Sequence, residues 1–220
     1  METEDTGTLE PGRVEVQLSG DYARNPDGNA GALGSTLSVG LLPGLEARFE
    51  SSFLVIDADD ADAETGIADS RLGVKYRLLD ETDTWPAALV AMAVRLPTGD
   101  DRRGLGEAGI GVGVLGAISK AFGPITLTGN VAYTFATSDR DMDFWTLASS
   151  VEYRMTEAWV LVGELVARLG MARAPNTAVF RTGTVYAVSD RIRLDGAVGV
   201  GLTRESPDAL VTVGVTFGLY

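Results

Sequence analysis

Apolar residues recur at every second position along most of this chain. The last stretch is the most regular: Val211, Val213, Val215, Phe217 and Leu219 alternate with Thr212, Gly214, Thr216 and Gly218, ahead of Tyr220. A period of two marks a strand with one apolar face and one face of small or polar residues. The same rhythm opens the chain, where Val14, Val16, Leu18, Gly20 and Tyr22 share a face opposite Glu15, Gln17, Ser19 and Asp21. Strands are predicted over 13–22, up to Leu41, from Leu45 through Phe53, and over 71–78, 85–96, 109–119, 125–135, 144–154, 159–168, 178–188, 192–202 and 209–220. Turn chemistry separates them, as at Asn25-Pro-Asp-Gly28, Leu42-Pro-Gly44 and Phe122-Gly-Pro124.

The linkers alternate between tight turns and longer polar loops for most of the chain, the asymmetry of a barrel with short turns at one rim and long loops at the other. Aromatics collect at two levels. Tyr76, Trp85, Tyr153, Trp159, Tyr186 and Tyr220 fall at the short-turn end, and Tyr22, Phe53, Phe135, Trp145 and Phe180 towards the loop end, as expected of interfacial girdles. Tyr76, Tyr153 and Tyr186 each end a descending strand just before a turn acid, a weak internal echo. The predicted fold is all-β: a twelve-stranded antiparallel up-and-down transmembrane β-barrel over 13–220, preceded by a polar tail over 1–12. An even strand count puts both termini on one side. A soluble sandwich or lipocalin-like barrel would have to turn twelve apolar faces inward, and its solvated faces would carry more lysine and fewer isolated glycines and threonines.

Composition removes several classes of function. No run of about 18 apolar residues exists, so no transmembrane helix is predicted. Cys and His are both absent, which removes disulfides, thiolate metal sites and the commonest general base. A net charge of −13 offers no basic stripe to nucleic acid. Met1-Glu-Thr-Glu-Asp is polar and has no leader pattern, so the expectation is a mature bacterial outer-membrane chain, its signal peptide absent, behind an added start Met. Gly109-Ile-Gly-Val-Gly113 lies inside a strand with no helix after it, so it is not a nucleotide loop. The acidic stretch Asp57, Asp59, Asp60, Asp62 and Glu64 lacks calcium-loop spacing and reads as a solvated external loop, with divalent bridging to lipid headgroups as a variant. No metal, cofactor or catalytic residue is expected. Glu46 and Glu50 form the one carboxylate pair worth weighing for acid–base work, and Arg48 between them points to pairing instead.

By strand parity the inward acids are Glu15, Asp21, Glu46, Glu50, Glu152, Glu164 and Asp195. The inward bases are Arg48, Arg71, Lys75, Arg77, Arg95, Arg154, Arg168, Arg181 and Arg193. Rings of side chains set pore selectivity, so Arg48, Arg71, Lys75, Arg95, Arg181 and Arg193 are the expected cationic lining of a solute path. Glu46, Glu50, Glu152 and Glu164 are the expected counter-charges. The same groups also suit a paired network filling a narrow lumen. Leu89, Leu115, Val160, Val162 and Val166 are inward and apolar, either a track for a hydrophobic solute or ordinary packing.

Three segments carry a family resemblance: Asp69-Ser-Arg-Leu-Gly-Val-Lys-Tyr-Arg-Leu78, Arg95-Leu-Pro-Thr-Gly-Asp100, and Gly201-Leu-Thr-Arg-Glu-Ser-Pro-Asp208 followed by Val211-Thr-Val-Gly-Val-Thr-Phe217. With their order and spacing, the chain resembles the outer-membrane proteins named for the meta-pathway of phenol degradation. Phe217 is followed by Gly-Leu-Tyr, whereas such sequences commonly finish on a strand-face aromatic. The resemblance implies an outer-membrane channel, in contact with lipid, for passive passage of small solutes, hydrophobic or aromatic ones among them. The alternatives are a closed structural or interaction barrel and, third, a soluble ligand-binding barrel.

Overall fold

The computed structural model describes residues 3–59 and 62–219; Asp60 of the acidic stretch and Tyr220 lie outside the described residues. The strands are β1 (Val14–Asn25), β2 (Gly28–Leu42), β3 (Leu45–Ala58), β4 (Glu64–Ile67), β5 (Ser70–Leu79), β6 (Ala87–Leu96) and β7 (Gly111–Phe122). They continue as β8 (Ile125–Ala136), β9 (Phe144–Arg154), β10 (Trp159–Gly170), β11 (Thr177–Ser189), β12 (Ile192–Gly201) and β13 (Ala209–Leu219). Neighbours pair antiparallel, and β1 meets β13 from Val14↔Leu219 to Arg24↔Ala209, closing the sheet on itself. β4 pairs only with the outer part of β3. The closed ring is therefore the predicted twelve-stranded antiparallel barrel, with β4 as a flap on its loop end.

Several boundaries differ from the sequence reading, three of them for a local reason. β3 continues past Phe53 to Ala58 because the first residues of β2 supply ladder partners, Gly28↔Ala58 to Ala32↔Leu54. Asp57 is thus a strand residue, and Glu64 begins β4. Gly28 makes that close approach possible, since a Cβ there would stand 2.3 Å from the Asp57 carbonyl oxygen. β6 starts at Ala87 rather than Trp85, because Pro86 has no N–H to give a ladder. β7 starts at Gly111, after Gly109 takes a left-handed φ of 78°.

The distribution of side chains is the inverse of a soluble protein's. Leu18, Leu33, Phe49, Leu72, Val131, Val151, Val198 and Val213 all stand exposed on the outer wall. Glu46, Lys75, Asn130, Ser150 and Glu164 are buried inside. An apolar wall around a polar interior is the arrangement a closed barrel takes in lipid, where every backbone group must be paired within the sheet.

Candidate functional site

The inner wall is divided by chemistry. On β3, β5 and β6 the register stacks charges: Glu46 opposite Lys75, Arg48 opposite Gly73, Glu50 opposite Arg71, and Arg71 opposite Arg95. Further along the inner wall, β6, β7 and β10 present Leu89, Leu115, Val160, Val162 and Val166, with Leu89 only 1% exposed. Small polar groups of β7 to β9 lie among them, including a Ser119–Thr128 hydroxyl pair at 2.9 Å.

Residues 3–12 do not trail away from the barrel; they enter it. The backbone crosses β2 at Gly40, where Gly12 N–H donates to the Gly40 carbonyl (2.9 Å) and Gly40 N–H donates to the Arg13 carbonyl (2.9 Å). Any Cβ at Gly40 would stand 2.1 Å from the Glu10 carbonyl oxygen. Deeper in, Leu9 N–H donates to Glu46 Oε2 (2.9 Å), and Thr3 N–H donates to Glu164 Oε1. Asn130 holds both sides of Glu4, accepting its N–H at 2.7 Å and donating to its carbonyl at 2.9 Å. The Glu4 carboxylate takes two hydrogen bonds from the Arg48 guanidinium (2.8 and 3.2 Å) and one from Lys75 Nζ (2.7 Å). Glu46 backs the same cations, at 3.3 Å from Arg48 and 3.8 Å from Lys75. Buried charges persist only when paired and hydrogen-bonded, and the tail supplies the pairing here.

The other predicted lining residues are distributed as follows. Arg181 meets the 1%-exposed Glu164 at 3.4 Å, and Arg193 reaches Glu15 at 2.7 Å. Among the described residues, Glu50, Arg71 and Glu152 make no ion pair, although Glu50 and Arg71 stand opposite each other. Phe144, which the sequence reading passed over at the edge of its strand, faces inward, with the Arg168 guanidinium 5.8 Å from its ring centre. Tyr76, Trp85, Tyr153, Trp159 and Tyr186 stand exposed at the short-turn end, with Trp159 edge-on to Tyr186, and Trp145 is exposed beside Tyr133 towards the loops.

The loop end is closed down by residues of two motifs far apart in sequence. Asp69 accepts from the Arg95 guanidinium, from Gly99 N–H (3.0 Å) and from Glu107 N–H (2.8 Å). Thr98 Oγ1 accepts from Ser70 N–H (2.8 Å) and donates to the Ala68 carbonyl (3.0 Å). These bonds fold the 97–110 loop over the lumen and bury Leu105. Burial alone would raise the Asp69 pKa, but the Glu107 and Gly99 amides and Arg95 outweigh it and hold the carboxyl below its ordinary range. Stability from a depressed carboxylate is complete above the unfolded value of about 4 and is lost as pH falls through the lower folded value. The loop is therefore expected to open as pH falls below about 4, seen as lost hydrogen-exchange protection over 97–110 relative to the intrinsic rate at each pH, and Asp69→Asn should open it at neutral pH. Protection that does not change with pH or with the substitution would refute this role for Asp69.

A closed twelve-stranded barrel with an apolar outer wall and a charged, tail-occupied interior has the architecture of a transmembrane β-barrel. A family model described as "Putative MetA-pathway of phenol degradation" matches residues 3–219, and the chain belongs to that family. The fold is also that of the COG4313 outer membrane channel from Pseudomonas putida F1, at a TM-score of 0.78 with 15% identity and full coverage of both chains. The NanC porin matches at 0.67, with 14% identity over 93% of this chain and 100% of that one. The CymD monoaromatic hydrocarbon channel matches at 0.51, with 11% identity over 96% and 88%.

Proposed function

We propose that this protein is an outer-membrane channel for passive passage of small solutes, hydrophobic or aromatic ones among them, through a narrow charged lumen. The observation that carries this reading is a series of cavities along the barrel interior. One of about 330 Å³ lies towards the short-turn end, between the tail and Glu15, Gln17 and Arg193. One of about 270 Å³ runs from Arg48 and Lys75 to Phe144, and one of about 470 Å³ lies under the 97–110 loop. Side chains and the tail separate them, and no strand of the wall intervenes. Twelve strands lie between the eight or so that side chains fill and the 16–18 that leave a wide aqueous pore, so a narrow path is the reading this size supports. The monoaromatic hydrocarbon in the name of the CymD channel and the phenol degradation in the family description agree with it.

The test is single-channel recording of the purified protein in a planar lipid bilayer. Discrete steps are expected, with an ion selectivity that Arg71→Glu shifts towards cations. Arg71 is the residue of choice because it faces two cavities and, among the described residues, holds no ion-pair partner whose loss would confuse the result. The second reading, a closed barrel, draws on the hydrogen bonds that tie the tail across the lumen. Silence both from folded, inserted protein and from a variant lacking the tail would establish it and end the channel reading.

A further inference from the structure

We propose that Arg48 and Lys75 form a binding site for the carboxylate of a small aromatic acid, and that Glu4 occupies this site as an internal stand-in until such a solute displaces it. The inference rests on the channel reading and names a class of solute for it.

Geometry is the first argument. Arg48 grips both Glu4 oxygens in the two-pronged manner that distinguishes carboxylate recognition, and Lys75 adds a third hydrogen bond. The two cations belong to the wall, on β3 and β5, whereas the anion arrives on a segment outside the sheet. Gly73 stands opposite Arg48 and leaves the guanidinium room to point into the lumen. Its Nε is buried and has no hydrogen-bond partner, so one donor remains for a ligand with a further acceptor.

Charge is the second. Within ion-pairing distance of Arg48 and Lys75 the wall supplies the carboxylate of Glu46, and the tail supplies Glu4 and, 4.0 Å from Lys75, Asp5. With the tail in place both cations are compensated; with it withdrawn they keep only Glu46 and leave a net positive charge in a confined site. Such a state is costly unless another anion fills it. An anionic solute can therefore take the place of Glu4, and a neutral one of the same shape cannot.

The third argument is the space beside the pair. The cavity of about 270 Å³ touches Glu4, Arg48 and Lys75 on one side and Leu115, Ala132 and Phe144 on another. A solute whose carboxylate sits where that of Glu4 does would lay an apolar body against those residues, and the volume suits a single ring. Besides the Glu4 carboxylate and Asp5, 4.0 Å from Lys75, the inner tail is held by backbone N–H groups donating to Asn130, Glu164 and Glu46 and by the Asn130 amide donating to the Glu4 carbonyl, the kind of bonds that water can replace once the segment moves.

The chain has no cysteine, so one introduced thiol reports the tail's position. Thr6, 7% exposed within the lumen, is replaced in Thr6→Cys, and its reaction with a charged, membrane-impermeant thiol reagent is timed. Benzoate is expected to speed the reaction about tenfold, the shift a ligand produces at about ten times its dissociation constant, and benzamide to leave it unchanged. Adding Glu4→Gln should make the thiol reactive without benzoate, and adding Arg48→Gln should abolish the benzoate effect. Glu4→Gln lies outside the barrel strands and keeps the test decisive if Arg48→Gln does not fold. Equal effects of benzoate and benzamide would overturn the proposal. So would a Thr6→Cys thiol that Glu4→Gln exposes but that benzoate leaves unreactive when Glu4 is present. If benzoate releases the thiol while the tail-less barrel never conducts, the binding site stands and the channel reading falls.

Discussion

Deleting residues 3–9 is expected to raise single-channel conductance at least about threefold, because current follows the open cross-section of the lumen and these residues fill it at its charged level. The cut leaves the barrel's own ladder intact. β1 begins at Val14, and the paired bonds between Gly40 and the Gly12–Arg13 backbone lie beyond the deletion. Glu164 loses the Thr3 amide but keeps Arg181, and Lys75 and Arg48 keep Glu46. Most of the lost hydrogen bonds have a charged partner and are worth about 1.5–3 kcal/mol each, and water entering where the tail lay offsets them. The barrel should therefore remain folded, and selectivity should move towards anions as Arg48 and Lys75 are uncovered. Single-channel traces from the two proteins side by side give the answer. A tail-less barrel that is folded, inserted and no more conductive than the parent would mean that the constriction lies elsewhere, with the 97–110 loop as the next candidate.

The wall of this molecule was legible in the sequence because lipid and lumen impose opposite demands on alternate residues. Parity alone separated Val211, Val213 and Val215 from Thr212, Gly214 and Thr216, and put Arg48, Lys75 and Glu46 on one inner face before any pairing was known. The tail was not legible. Thr3 to Leu9 has no periodicity, and a short polar segment carries no sign of whether water or a lumen solvates it. One hint was present all the same. The inward positions hold nine bases against seven acids in a chain whose net charge is −13, so the interior needed carboxylates from outside the strands, and Glu4 and Asp5 were available. Asp69, Arg95 and Thr98 were conspicuous as motif residues, but their joint role depends on β5 and β6 lying side by side, with the loop after β6 bending back over β5. That contact belongs to the tertiary fold. Phe144 was missed for a more local reason: a residue at the first position of a strand has only one side on which to read alternation.

What surrounds the outer wall is decided by Val213→Arg. Val213 lies midway along β13, 56% exposed, between Gly20 of β1 and Gly196 of β12, so a long side chain there clashes with nothing. Against water the substitution should change stability by no more than about 0.5 kcal/mol, as exposed positions generally do. Against lipid it must place a guanidinium near the middle of the hydrocarbon layer, at a cost of about 2–4 kcal/mol. Gln17→Arg is the matched control. It puts the same group on the neighbouring strand but on the inner face, beside a cavity already lined by Glu15 and Arg193. Urea unfolding of both variants in lipid vesicles is expected to show a large loss for Val213→Arg and a small one for Gln17→Arg. Equal, small losses would mean that the apolar wall does not face hydrocarbon, and the membrane assignment would fall with it.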